Sequence, residues 1–246
     1  LKKVISFSLY GDNPRYCIGA VKNAILAQRY MPNWECRFYI GPGVPMPIVQ
    51  MISMFENCSV ADVTGFPYPQ TFSRFLALAD KDVDVAICRD VDARVSARDM
   101  HAISEWLNSG LNFHIMKDHP VGHPYLISAG MFGARSGKLD NILDMIKDFI
   151  GRNPTEYYTI DQDFLAQMVF PIIKDDCMYH SEHYDCNPTG NSIQKAFPTE
   201  NRYPFNYIGA ALSESDVYLY SVDSEPSLRQ GGGGAYHYDF DLLEGV

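Results

Sequence analysis

Val83-Asp84-Val85-Ala86-Ile87-Cys88-Arg89-Asp90-Val91-Asp92 passes from an apolar run into a pair of carboxylates. Residues 83–88 are apolar enough for a strand covered on both faces, which predicts a parallel sheet. Asp90 and Asp92 project to one side of an extended segment, because side chains alternate. In such sheets ligands bind beyond the carboxyl ends of the strands, and two hard oxygen donors there suit Mg²⁺ or Mn²⁺ bound together with a diphosphate. The same tripeptide also arises as a solvated acidic turn, so the apolar strand before it carries the reading.

Upstream, the chain alternates between two periodicities. Residues 4–9 form an apolar run closed by Tyr10-Gly11-Asp12-Asn13-Pro14, after which Ile18, Val21 and Ile25 recur at helical spacing. Residues 36–40 read as a second strand broken by Gly41-Pro42-Gly43, with Ile48, Met51, Ile52 and Phe55 on one helical face beyond it. Val60 and Val63 mark a third strand, and Phe72, Phe75, Leu76 and Ala79 mark another helix with Thr71 as its cap. Four β/α units in about 90 residues imply half of a doubly wound α/β domain.

Downstream the rhythm loosens. Ser96-Ala97-Arg98-Asp99 resembles a capping box ahead of Met100, Ile103 and Leu107. Residues 112–116 and 127–134 read as strands; Leu139, Ile142, Leu143, Ile146 and Phe149 trace an amphipathic helix, and a shorter helix is expected over 159–168. From residue 171 onward Pro, Gly, Tyr, Asn and Ser dominate, predicting an irregular layer over the sheet, with a flexible glycine tract at 231–234. The expectation is one α/β domain over residues 1–246, with a nucleotide-binding half at 1–95 and a sugar- and acceptor-binding half at 96–246.

Composition narrows the partners. Twenty Lys and Arg against 30 Asp and Glu leave a formal charge of −10, which argues against a surface built for nucleic acid. Six cysteines without a CxxC pair read as buried reduced thiols, implying a reducing compartment. No stretch approaches 18 consecutive apolar residues, so a soluble, cytoplasmic protein without a transmembrane segment is expected. The chain starts at Leu1 rather than Met, as an excised piece of a longer multidomain protein would.

Five segments in order resemble the nucleotide-sugar glycosyltransferases of GT-A fold, especially the small bacterial and large-virus members and, more distantly, the glycogenin-like transferases. They are Val4-Ile5-Ser6-Phe7-Ser8-Leu9-Tyr10-Gly11, Ser73-Arg74-Phe75-Leu76-Ala77-Leu78, Asp90-Val91-Asp92, Ser128-Ala129-Gly130-Met131-Phe132-Gly133 and Ile160-Asp161-Gln162-Asp163-Phe164-Leu165. The resemblance implies a GT-A (Rossmann-like) domain, with a mostly parallel sheet flanked by helices. It places Leu9, Tyr10, Gly11 and Arg74 near the nucleotide, Asp90 on the ribose or metal, and Asp92 on a metal that bridges the diphosphate. It also implies Mn²⁺ or Mg²⁺, a UDP-sugar donor and a glycan acceptor, in a bacterial cytoplasm or, for a viral protein, that of the host.

A third metal ligand in the family is a late histidine, but the glycogenin-like HxxGxxKPW pattern is absent. His180, His183 and His237 are the candidates, and His183 is taken as the ligand. Asp161, Gln162 and Asp163 resemble the segment facing donor and acceptor, while Asp118, within Lys117-Asp118-His119-Pro120, is a further catalytic candidate. Each also has a plainer use, as a helix cap or polar turn residue. Retention of anomeric configuration is favoured because the DQD segment most resembles retaining relatives. Two alternatives stand beside this: a haloacid-dehalogenase-type phosphatase using Asp90 and Asp92 with Lys174, Asp175 and Asp176 downstream, and a catalytically silent module that binds nucleotide sugar or glycan.

Overall fold

In the computed structural model, the described residues are 2–119, 123–199 and 207–217. Pro120, His237 and the glycine tract at 231–234 therefore lie outside them. The chain begins with β1 (Lys2–Leu9), α1 (Pro14–Tyr30), β2 (Glu35–Ile40), α2 (Met46–Ser53) and β3 (Cys58–Asp62). A 3-10 helical segment (Gln70–Leu78), β4 (Val83–Arg89), α3 (Ala97–Ser109), β5 (Phe113–Lys117), β6 (Phe132–Arg135) and α4 (Ile142–Arg152) follow. One helical rod then runs through α5 (Ile160–Phe164), a π-helical stretch (Leu165–Val169) and α6 (Phe170–Ile173), before β7 (Cys177–Ser181) and β8 (Ile193–Lys195).

Among the described residues the eight strands form one sheet in the order β3-β2-β1-β4-β6-β5-β7-β8. Only β6 runs against its neighbours, pairing antiparallel with both β4 and β5. The remaining strands are therefore co-directional, and the ends of β1, β4, β5 and β7 reach the same edge. Asp90 follows β4 directly at that edge, where the strand reading placed it.

Each face of the sheet is covered. On one side Phe72, Phe75, Phe149 and Phe164 meet at ring-centroid distances of 5.3–5.9 Å. On the other, Ile5, Phe7, Ala20, Ala24, Ile87, Ile103 and Trp106 share a core. Burying one such large apolar side chain contributes about 1.5–3 kcal/mol, so these two layers dominate the fold's stability.

Several sequence expectations are corrected. Ile18 and Ile25 of α1 are 37% and 50% exposed, and the buried face is made of Cys17, Gly19, Ala20, Asn23, Ala24, Leu26 and Ala27. Met51 is likewise exposed on α2, and Leu143 on α4 is exposed while Met145 is buried. Thr71 is not a cap but lies inside the 3-10 segment, which starts after Pro69. Residues 127–131 are not strand, and β6 begins only at Phe132. The region after residue 171 is not wholly irregular, since β7 and β8 extend the sheet in parallel with β5. Ser96 does cap α3, accepting a hydrogen bond from the Asp99 amide. All six cysteines are free thiols, and no helix among the described residues is long and apolar enough to cross a membrane.

Candidate functional site

α1 positions the loop that bears the two carboxylates. Arg15, Gly19 and Asn23, spaced four apart, share one helical face. The Arg15 guanidinium pairs with Asp92. Gly19 lets the helix approach the loop closely, because a Cβ there would lie 2.2 Å from the Val91 carbonyl oxygen. Asn23 is fully buried and donates to the carbonyls of Val91 (3.1 Å) and Ala93 (2.9 Å), while its side-chain oxygen accepts from the Val95 amide (3.0 Å). Three hydrogen bonds to one buried amide fix residues 91–95 against the helix.

Arg74 sits between two acids. Its guanidinium pairs with Asp90 and, at 2.7 Å, with Asp161, which lies more than seventy residues further along the chain. Its backbone amide donates to Ser8 of β1 at 2.9 Å, tying the 3-10 segment to the sheet edge. Burial pushes the Asp161 carboxyl above the usual range against the pull of Arg74. Burial and the neighbouring Asp90 charge raise Asp92 likewise, with Arg15 opposing. Gly130 admits Asp90 to this arrangement, since a Cβ at residue 130 would come within 2.1 Å of the Asp90 Oδ2.

These groups line a cavity of about 360 Å³ together with Ser8, Tyr10, His123, Gln162 and Tyr207. The sequence candidates Tyr10, Arg74, Asp90, Asp92, Asp161 and Gln162 are thus brought together. Gln162 accepts from the Ala129 amide at 2.9 Å through its side-chain oxygen, which leaves its NH₂ group to the cavity. The Thr71 hydroxyl in the wall is buried and has no hydrogen-bond partner among the described residues. A bound ligand would satisfy it.

Other candidates are placed elsewhere. Leu9 is 1% exposed and packs into the core beneath the cavity, and Gly11 is held by its amide to the Pro42 carbonyl. Asp163 accepts from the Tyr157 hydroxyl at 2.7 Å and is not in the cavity wall. Asp118 is 1% exposed and locked in a bidentate pair with Arg98 (2.7 and 2.9 Å), while also accepting from the Ile208 amide at 3.0 Å. It is a bracing residue below the cavity rather than an exposed base. His180 is on β7 and fully buried, bonded to His114 (2.7 Å) and Glu105 (3.0 Å). His183 emerges on an exposed turn after β7, outside the cavity wall, because the strand carries this segment into the sheet.

The histidine that does line the cavity is His123, which the sequence reading passed over. Its Nδ1 accepts from the Asp118 amide at 3.0 Å, so the neutral ring carries its proton on Nε2. Burial, with His119 beside it, lowers its pKa to about 3, keeping the ring neutral. Nε2 is then a donor, not a metal ligand. Arg15 was also missed, although its place just after Asn13-Pro14, at the start of the helix that follows β1, is a position where α/β sheets meet ligands.

The two carboxylates fit a divalent cation. They share one cavity, Asp90 retains 44% side-chain exposure, and their mutual repulsion is relieved by positive charge. Among the described residues no cluster of three or more His, Cys, Asp or Glu accompanies them. Two hard oxygens with open positions match a cation that also takes phosphate oxygens. The phosphatase alternative loses its partners: Asp175 and Asp176 bond to Thr189 and Asn112, and with Lys174 they precede β7, at the opposite edge of the sheet from Asp90.

No protein-family model matches the sequence, and no curated protein matches it. Solved structures do. The glycosyltransferase GlyE of Streptococcus pneumoniae TIGR4 aligns at 16% identity over 72% of this chain and 44% of its own, with a TM-score of 0.50. The galactosyltransferase LgtC, solved with donor and acceptor sugar analogs, aligns at 16% identity over 79% of this chain and 85% of its own, with a TM-score of 0.49. A glycosyltransferase involved in glycosylation of the major capsid of PBCV-1 aligns at 16% identity over 74% and 82%, with a TM-score of 0.43. The single α/β domain with a mostly parallel sheet has the GT-A architecture that the resemblance implied.

Proposed function

We propose that this chain is a metal-dependent glycosyltransferase that moves a hexose from a nucleotide diphosphate sugar, UDP by preference, to a hydroxyl of a glycan. The observation that carries the proposal is the meeting of Asp90 and Asp92 with the Arg15 and Arg74 guanidiniums in one cavity at the carboxyl edge of a parallel sheet. Residues before about position 95 supply the nucleotide side, and later ones the sugar and acceptor side.

Asp90 and Asp92 would hold Mn²⁺ or Mg²⁺, which supplies positive charge against a departing diphosphate. Arg15 and Arg74, with side chains 18% and 6% exposed, add two cations beside it, where their charge is screened less than at the open surface. Asp161, braced by Arg74, and the Gln162 NH₂ group orient sugar hydroxyls. His123 Nε2 donates a further hydrogen bond from the wall. In the transfer, the bond from the anomeric carbon to the β-phosphate oxygen breaks with its electron pair going to that oxygen, and the acceptor oxygen forms the new glycosidic bond. Asp118 is sealed, Asp163 is engaged by Tyr157 and Asp161 by Arg74, so no aspartate among these stands ready as a base. The departing diphosphate oxygen takes the acceptor proton, which favours retention.

Calorimetric titration of UDP in the presence of Mn²⁺ and again in EDTA tests this. Binding at least tenfold tighter with Mn²⁺, and loss of that difference in Asp92→Asn, are expected. Equal affinity in both solutions sinks the metal assignment. Hydrolysis of one nucleotide sugar in a panel, with Mn²⁺ present, separates an enzyme from a silent binding module.

A further inference from the structure

Beside the donor cavity lies a second, of about 410 Å³. Its walls come from the loop leading into the 3-10 segment and from the chain after α4. Phe66 and Tyr68 stand edge to face there, 5.3 Å apart between ring centroids and at 83°. Pro67, Pro69 and Pro154 fix the backbone around them, so the surface is preorganised rather than induced. The polar groups are Gln70, Asn153 and Glu156, two amides and one carboxylate.

Among the described residues the lining contains no Lys, Arg or His, and its one charged side chain is the Glu156 carboxylate. That disfavours a phosphate or nucleotide as the occupant. An aromatic ring stacks on the C–H side of a pyranose, while the Gln70 amide, the Asn153 side-chain oxygen and the Glu156 carboxylate pair with adjacent hydroxyls, the Asn153 NH₂ being held by the Phe149 carbonyl at 2.9 Å. An uncharged polyol with one apolar face fits both.

The two cavities share a wall. Thr71 lines the donor cavity and Gln70 the second; Thr159 lines the first and Ile160 the second. Tyr158, 88% exposed, stands at the rim of the donor cavity next to Thr159, with Tyr10 at 42% on the same lining. A chain leaving the donor cavity therefore meets exposed aromatic surface before the second cavity.

We infer that the cavity at Phe66, Tyr68 and Glu156 is an outer subsite for an oligosaccharide acceptor, holding sugar units beyond the one that receives the hexose. The inference rests on the transferase reading and names its acceptor class: an extended neutral glycan rather than a monosaccharide or a peptide. Phe66 and Tyr68 are not in the donor cavity's lining, and Glu156 reaches it only through its charge on Tyr10, so changes at Tyr68 alter acceptor affinity and leave nucleotide affinity alone.

Ligand-observed NMR on the full chain with Mg²⁺ and UDP tests it. The probes are the mono- and trisaccharides of glucose, galactose, mannose and N-acetylglucosamine series. At least one trisaccharide should bind ten times tighter than its monosaccharide. Tyr68→Ala and Glu156→Gln should each remove that gain, Tyr68→Phe should keep it, and UDP affinity should be unchanged in both Tyr68 variants. No gain from length in any series, or a gain that survives both disruptive changes, overturns the subsite. Donor hydrolysis measured in parallel judges the transferase reading separately: saccharide binding that depends on Tyr68 without hydrolysis of any nucleotide sugar keeps the subsite and removes the enzyme.

Discussion

Arg74 holds two carboxylates that would otherwise face each other across the cavity. Its side chain is 6% exposed and that of Asp161 4%, so neither charge is compensated by water. Arg74→Ala leaves Asp161 buried and unpaired, a change that costs about 3–5 kcal/mol in comparable buried pairs. The variant should therefore lose stability as well as UDP affinity. The pH dependence follows from the sign of the shift. An acid whose folded pKa is raised binds more protons folded than unfolded, so its penalty grows as pH rises. Removing Arg74 takes away the group that lowers it. Urea denaturation should accordingly show the deficit of Arg74→Ala shrinking between pH 7 and pH 5. A deficit independent of pH would mean that Asp161 is not the group left stranded. The resemblance placed Arg74 only near the nucleotide, and its pairing with Asp90 and Asp161 was not legible because the two acids come from distant segments.

At the scale of an element, α1 shows how a correct helix can be read with the wrong face inward. Ile18, Val21 and Ile25 recur at helical spacing, yet Ile18 and Ile25 are exposed, and the buried stripe is small: Gly19, Ala20, Ala24 and Ala27. Bulk marks a core face only when the neighbour leaves room for it. Here the carboxylate loop approaches so closely at Gly19 that a side chain there would collide with the Val91 carbonyl, and Leu26 is the one large aliphatic side chain on the buried face. Asn23→Ala removes three buried hydrogen bonds and should cost about 1–3 kcal/mol. Because those bonds hold residues 91–95, UDP affinity in Mn²⁺ should fall with it. Calorimetry beside a denaturation curve decides between the roles, since lost stability with unchanged affinity would make α1 scaffold alone. β7 was illegible for a different reason. Its Cys177-Met178-Tyr179-His180-Ser181 lacks the β-branched run of an interior strand, and its place in the sheet is secured by pairing with β5 and by a buried histidine pair.

Across the whole molecule, the buried histidines set the response to acid. Burial holds His114 well below its usual 6.5, with the neighbouring His180 and Arg89 acting in the same direction. Burial lowers His180 against the pull of Glu105, with Lys195 and Arg98 nearby, and His123 falls to about 3. Each ring gives up its proton more readily in the fold than in the unfolded chain, where it titrates near 6.5. Their contribution is complete above pH 6.5 and is lost as pH falls below it, by about 1.4 kcal/mol per pH unit for each ring until its folded pKa is reached. Unfolding free energy from denaturant titrations should drop between pH 6.5 and 5, before ordinary carboxylates titrate, and His114→Gln should flatten that drop. Because the raised Asp161 and Asp92 act in the opposite sense, the deciding readout is the difference from His114→Gln, and identical pH slopes in the two proteins would show that His114 does not contribute. The doubly wound half, the strand before Asp90 and the site's edge of the sheet were all legible, because each follows from local patterning. His123 and the bracing of Asp118 were not, because they depend on side chains meeting from distant segments.

The donor cavity is closed by the first helix and by some of the last described residues. Arg15 comes from α1, while Tyr207, Gly209 and Ala211 come from a segment fastened by Asp216 to Lys22 and Arg94. Synthesis delivers these in sequence, amino end first. A ribosome that has released residues through 199 has delivered the eight strands of the described residues, both aspartates and Arg15, but not the part of the wall at Tyr207, Gly209 and Ala211. Folding can begin on the nascent chain, but the cavity waits for its last wall, so a translation pause or premature stop in that interval yields a sheet that can form around a cavity that stays open.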